Sequence, residues 1–242
     1  MKAGRQHQDI FATTCWTLIV KAGEPAGQAS EAAWQELCKI YWYPLYVYAR
    51  RVLPCREDAE DAVQGFLLSL FERKDLTGLS PARGRFRAYL LAAFKHYLSN
   101  EHLKASALKR GGGMSLLSLD WEAAGARFEV MDQSVGTPDE VYDREWALAL
   151  LQNVLECLRA EWQAKNKSTL FDTLQVFLTV GRDDARYAEA AAGHGFSESY
   201  LRVNAHRLRR RYRELLRTAI EQTLENRDMV EDEMQALFKA LE

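Results

Sequence analysis

The sequence predicts an all-α protein, built as two small helical domains joined by a glycine-containing linker. Apolar residues recur at three- and four-residue steps through nearly every periodic segment, which is the spacing of one helix face. No alternating apolar–polar stretch is long enough to propose a strand. A polar run holding Gly111-Gly112-Gly113, Gly125, Gly136 and Thr137-Pro138-Asp139 divides the periodic segments into two groups. With 242 residues and 48% hydrophobic content, each group can bury its own core.

Residues 1–30 read as an N-terminal arm. Helices over about 31–53, 57–73 and 83–108 make the first domain, 31–108, and the linker covers 109–140. Helices over 143–163, 168–180, 184–193 and 197–224 make the second domain, 141–224. A further helix near 229–241 falls in an acidic C-terminal extension, 225–242. No run approaches the roughly 18 apolar residues that cross a bilayer, and the N-terminus lacks the apolar centre of a secretion signal. A cytoplasmic chain with no membrane partner is expected.

Catalytic and metal chemistry find little footing. Cys15, Cys38, Cys55 and Cys157 are widely spaced and form no Cys-x-x-Cys, and His7, His96, His102, His194 and His206 add no zinc spacing. Reduced, mostly buried thiols are expected, with no metal and no cofactor. The glycine triplet lacks the Gly-Lys-Ser/Thr ending and preceding strand of a phosphate loop. No nucleophile elbow appears either, so the chain is not read as an enzyme.

The second domain carries the sharpest signal. Ala188, Ala190, Ala191 and Ala192 favour a short helix, Gly193 and Gly195 offer a tight turn, and Ser197 caps a second helix with Glu198 in its first turn. Leu201, Ala205, Leu208, Tyr212, Leu215 and Leu216 form its apolar stripe. Ser199, Val203, His206, Arg207 and Arg210 fall roughly opposite, flanked by Tyr200 and Arg202. A short helix, a turn and a capped arginine-rich helix are the sequence form of a helix-turn-helix, whose second helix enters the DNA major groove. The chain's formal net charge of -2 hides this, because the basic charge is local. An arginine-rich helix end that only complements the dipole is the plainer alternative. It explains a single arginine better than the run Arg202, Arg207, Arg209, Arg210, Arg211, Arg213 and Arg217, opposed within it by Glu214 alone.

The first domain offers two further surfaces. Ala59, Val63, Phe66, Leu67 and Leu70 make a core stripe, leaving Asp58, Asp61, Gly65, Leu68 and Glu72 on the far side with Gln64 at its edge. An exposed leucine among acids suits a basic partner helix, and an ordinary solvated acidic face explains it as well. The next segment mixes Arg83, Arg85, Arg87, Lys95 and His96 with Phe86, Tyr89, Phe94 and Tyr97. Cations along phosphates and rings against bases are what single-stranded DNA binding uses, although some of these rings must be core.

The order of these segments resembles a bacterial RNA polymerase sigma factor of the extracytoplasmic-function type, in the sigma-70 family. The resemblance covers about 31–110 and 144–218. Asp58-Ala-Glu-Asp-Ala-Val-Gln64 with Phe66 is similar to the family's polymerase-binding helix, which implies that Asp58, Asp61, Gln64 and Leu68 meet the largest catalytic subunits of core RNA polymerase. Arg83-Gly-Arg-Phe-Arg-Ala-Tyr-Leu90 resembles the segment that reads and opens the −10 element. That implies roles there for Arg83, Arg85, Phe86, Arg87, Tyr89, Lys95, His96 and Asn100. Residues 187–213 resemble the −35-reading helix-turn-helix, which implies promoter DNA contacts for Ser199, Tyr200, Arg202, Val203, His206, Arg207 and Arg210. The family also implies a possible anti-sigma factor as partner.

Three departures from the family pattern stand out. Tyr89 occupies the usual tryptophan position of the strand-opening helix, the linker is long, and an acidic tail of Glu221, Glu225, Asp228, Glu231, Asp232 and Glu233 follows Arg217. Such a tail is placed to fold back on the arginine helix and mask it. A stand-alone helix-turn-helix regulator is the main alternative, and it leaves the first domain's surfaces without purpose. A sigma-like adaptor without transcription activity, or a helical hydrolase or transferase, accounts for less.

Overall fold

The computed structural model describes residues 28–73, 86–105, 119–131, 136–179, 186–221, 224 and 227–242. Among them are nine α-helices, two 3-10 turns (Gln175–Phe177 and Arg227–Met229) and no strand, the all-α class the sequence predicts. The helices are α1 (Gln28–Val52), α2 (Arg56–Arg73), α3 (Phe86–Ala105), α4 (Trp121–Glu129), α5 (Pro138–Gln163), α6 (Ser168–Leu174), α7 (Arg186–His194), α8 (Glu198–Glu221) and α9 (Val230–Lys239).

Two long helices organise the packing. α1 and α5 lie against each other more extensively than any other pair, α1 also packs on α2, and α5 also meets α6, α8 and α9. The apolar core is therefore contiguous from α1 through α5 to α8, across the boundary expected at 109–140. In α2 the stripe Ala59, Val63, Phe66, Leu67 and Leu70 is buried as expected. Gly65, expected on the solvent side, instead sits beneath Tyr97. A methyl group added there would collide with the tyrosine hydroxyl, so the Tyr97 side chain would have to move aside. Phe94 and Tyr97 bring α3 onto Phe66, with ring centroids 4.9 and 5.6 Å away.

The expected linker contains a helix. Asp120 caps α4 by accepting from the Ala123 N–H, and Ala124 and Phe128 turn inward. Trp121 packs edge-on to Trp42 at 5.5 Å and lies 5.6 Å from Tyr46. Three arginines fasten the helix to its neighbours. Arg56 of α2 donates to the Trp121 carbonyl at 3.0 Å, Arg50 of α1 bonds Glu129 at 3.0 Å, and Arg127 pairs with Glu145 of α5 while lying 4.0 Å over the Tyr43 ring. Gly125, expected as a linker glycine, is a buried helical residue where the Arg56 guanidinium passes 3.0 Å from a would-be Cβ.

α5 begins earlier than the sequence suggested, at Pro138. Thr137 and Glu140 form a reciprocal capping box, and proline at the first helical position costs no hydrogen bond. Burial pushes the Glu145 carboxyl above the usual carboxylate range, with Arg127 opposing. Cys38 is buried and Cys157 half-buried with its thiol pushed up to about 12 by burial, while Cys55 is the exposed one among thiols expected to be mostly buried. Cys15 lies outside the described residues.

Candidate nucleic-acid interface

α7 and α8 are joined by residues 195–197 and pack on each other. Gly195 supplies the positive φ, 70°, that turns the chain, while Gly193 is helical, so one of the two expected turn glycines carries the geometry. Ser197 caps α8 as expected, accepting the Tyr200 N–H at 3.3 Å. Phe196 stacks on Tyr200 at 5.7 Å across that cap. The predicted stripe of Leu201, Ala205, Leu208, Leu215 and Leu216 is buried, and the Tyr212 hydroxyl reaches the Leu151 carbonyl of α5 at 3.1 Å. Facing solvent are Ser199, Tyr200 at 42%, Val203 at 51%, His206, Arg207 and Arg210.

The arginines of α8 divide by partner. Arg209 donates to the Phe177 carbonyl at 2.9 Å and the Tyr187 hydroxyl at 2.7 Å. Arg211 grips both Glu161 oxygens, at 3.0 and 2.6 Å, which ties α8 to α5. These two are fasteners of the fold, not part of the outward face. Arg202 is half-buried, bonded to Glu198 at 2.9 Å and set 4.8 Å over the Tyr187 ring. Arg210 stays two-thirds exposed with Glu214 3.5 Å away, and Arg207 and Arg213 are exposed.

Beside this face lies a notch of about 250 Å³ that sequence reading missed. Its rim is Lys165 and Lys167 from the turn after α5, facing Arg207 and Arg210 of α8 over Trp162. The signal was present as Lys165-Asn166-Lys167 but resembled any polar loop.

The segment around α3 behaves differently. Phe86 is 2% exposed and packs edge-on to Tyr41 at 5.3 Å, so it has no free ring face for a base. Arg87 is buried as well. It pairs with Asp143 of α5 and with Glu233 of α9, the latter at 3.0 Å with Glu233 only 1% exposed, and it lies 4.5 Å over the Trp146 ring. The Tyr142 hydroxyl donates to the Arg87 carbonyl at 3.1 Å. Both residues were expected on a DNA-facing surface; long-range packing and two distant acids take them inside instead. Tyr89 is half-buried and stacked on Phe86 at 6.1 Å. Lys95 pairs with Asp139 at 2.6 Å, a bond that raises its pKa, and lies 5.6 Å over the Tyr48 ring. His96 and Asn100 are exposed, and Arg83 and Arg85 lie outside the described residues.

On α2, Asp58 and Asp61 are exposed as expected, whereas Leu68, expected to be exposed among the acids, is half-buried, as is Gln64. The acidic tail does fold back: Glu233 reaches Arg87 of α3, and at the far end of α8 Arg217 pairs with Glu231 and with Glu221 at 3.2 Å. Among the described residues no carboxylate of the tail pairs with Arg207 or Arg210. Among the described residues no helix is long and apolar enough to cross a membrane, and no cluster of His, Cys, Asp or Glu is placed to hold a metal. Comparison of the chain with protein-family models, curated proteins and solved structures found no match.

Proposed function

We propose that the chain is a sigma-type promoter-recognition subunit, binding duplex DNA of a −35 element through α8 and core RNA polymerase through the Asp58, Asp61, Gln64 and Leu68 edge of α2. The observation that carries the reading is the outward face of α8. Ser199, Val203, His206, Arg207 and Arg210 lie along one exposed face of a helix whose capped start follows a tight turn. Hydroxyl, imidazole and guanidinium groups so grouped suit base edges and phosphates. On this reading the present arrangement is closed for strand opening, because Phe86 and Arg87 face the core. Opening then requires Arg87 to leave Glu233 and Asp143, which makes α9 a catch on α3 and leaves the −35 face unmasked.

That same burial favours a second reading, a stand-alone duplex-binding regulator that needs no strand opening. Run-off transcription with purified core polymerase on a promoter fragment library separates the two. The sigma reading expects a stoichiometric complex that starts RNA at defined sites, and Asp61→Lys abolishes the complex while duplex binding by the free protein persists. Duplex binding with no polymerase complex and no defined starts overturns it in favour of the regulator.

A further inference from the structure

We infer that Lys165 and Lys167, with Arg207 and Arg210, form a clamp for a DNA backbone phosphate at the edge of the groove that α8 enters. The clamp rests on the duplex-binding reading of α8 and adds to it a second contact element from outside the turn and helix.

The turn that presents the lysines is fixed by its backbone. Asn166 takes a left-handed φ of 56°, its N–H donates to the Gln163 carbonyl at 2.9 Å, and the Lys167 N–H reaches back to the Trp162 carbonyl at 2.9 Å. This paired pattern is a Schellman ending, with asparagine at the position glycine usually fills. It holds Lys165 and Lys167 on either side of one rigid residue, both exposed, and both line the notch with Arg207 and Arg210. The surrounding acids are otherwise engaged. Glu161 is held by both arms of Arg211, and Glu214 is shared between Arg211 at 3.3 Å and Arg210 at 3.5 Å. Among the described residues neither lysine nor Arg207 makes an ion pair. Cations converging on one concave site repel each other, and an anion seated between them relieves that repulsion.

Distance selects which anion. Arg210 follows Ser199 by eleven residues, which at 1.5 Å per residue is about 16 Å along α8. The major groove is about 12 Å wide. With the first turns of α8 inside the groove, the level of Arg207 and Arg210 coincides with the flanking strand's phosphates, where the two lysines join them. Base reading then falls to the earlier positions, Ser199, Val203 and His206, and the clamp sets register without reading sequence.

Fluorescence anisotropy of the full chain on a selected duplex and on random-sequence duplexes, over a salt series, tests the clamp. Lys165→Ala/Lys167→Ala is expected to weaken all duplexes by a common factor of about tenfold at low salt and to reduce the salt slope by about 0.9, the share of one phosphate contact. Sequence preference and melting temperature stay as in the unsubstituted protein. If the unsubstituted protein binds no duplex, the reading of α8 falls and the clamp with it. Where it does bind, an unchanged slope and affinity in the double variant overturn the clamp alone, and a changed sequence preference overturns its phosphate assignment. Tripolyphosphate is the control anion: its loss of binding in the variant without any effect on duplex binding assigns the notch to a free anion and overturns the DNA assignment.

Discussion

α3 and α8 both carry arginine among apolar residues, yet α3 turns its arginine inward and α8 keeps Arg207 and Arg210 in water. The difference lies in where the acids are. Arg87 meets Asp143 and Glu233, which stand 56 and 146 positions away in the chain. Arg207 has valine, asparagine and two arginines at its three- and four-residue neighbours, and no distant carboxylate approaches it among the described residues. Local charge patterns therefore described α8 well and misjudged α3. Arg87 is drawn inside because two other helices bring it acids, one of them buried.

Breaking the buried pair should give the largest effect. Arg87→Ala leaves Glu233 without its guanidinium inside the protein, and stability is expected to fall by about 3–5 kcal/mol in urea unfolding. Replacing both, as Arg87→Met with Glu233→Leu, should recover most of that loss. A small loss in the single variant would mean that α9 does not fasten α3.

The two roles within α8 can be separated next. Arg211→Ala removes a partly exposed grip on Glu161 and should cost about 0.5–1 kcal/mol of stability. Arg207→Ala should leave the unfolding midpoint in place while weakening duplex binding. Equal effects of the two on both measurements would erase the distinction between fastener and contact.

The smallest effect concerns Glu145. Its folded-state pKa is raised by burial, so the folded protein binds the proton more tightly than the unfolded chain. Stability should therefore decline as pH rises through the region just above the ordinary carboxylate range. Glu145→Gln should flatten that decline and leave the protein no less stable at neutral pH. Thermal unfolding between acid and neutral pH provides the check.

Much of α2 and α8 was legible because their cores are single stripes and their caps are local. Ser197 and Gly195 announce their roles within three residues. α4 was lost to the glycines around it, although Trp121, Ala124 and Phe128 sit at helical spacing after a capping aspartate. The start of α5 is equally visible as Thr137-Pro138-Asp139-Glu140, a capping box inside the polar stretch whose composition suggests a linker. Nothing local marks Arg87 as buried or Lys165 and Lys167 as neighbours of Arg207, because each depends on helices far apart in sequence.

The shared contact between α1 and α5 has a practical consequence for dissecting the molecule. A fragment starting at residue 141 would lose the capping box and uncover the flank that α1 shields. Such a piece should self-associate at working concentrations, whatever its affinity for nucleic acid. Point substitutions on the intact polypeptide are thus the sounder way to assign tasks to its two ends.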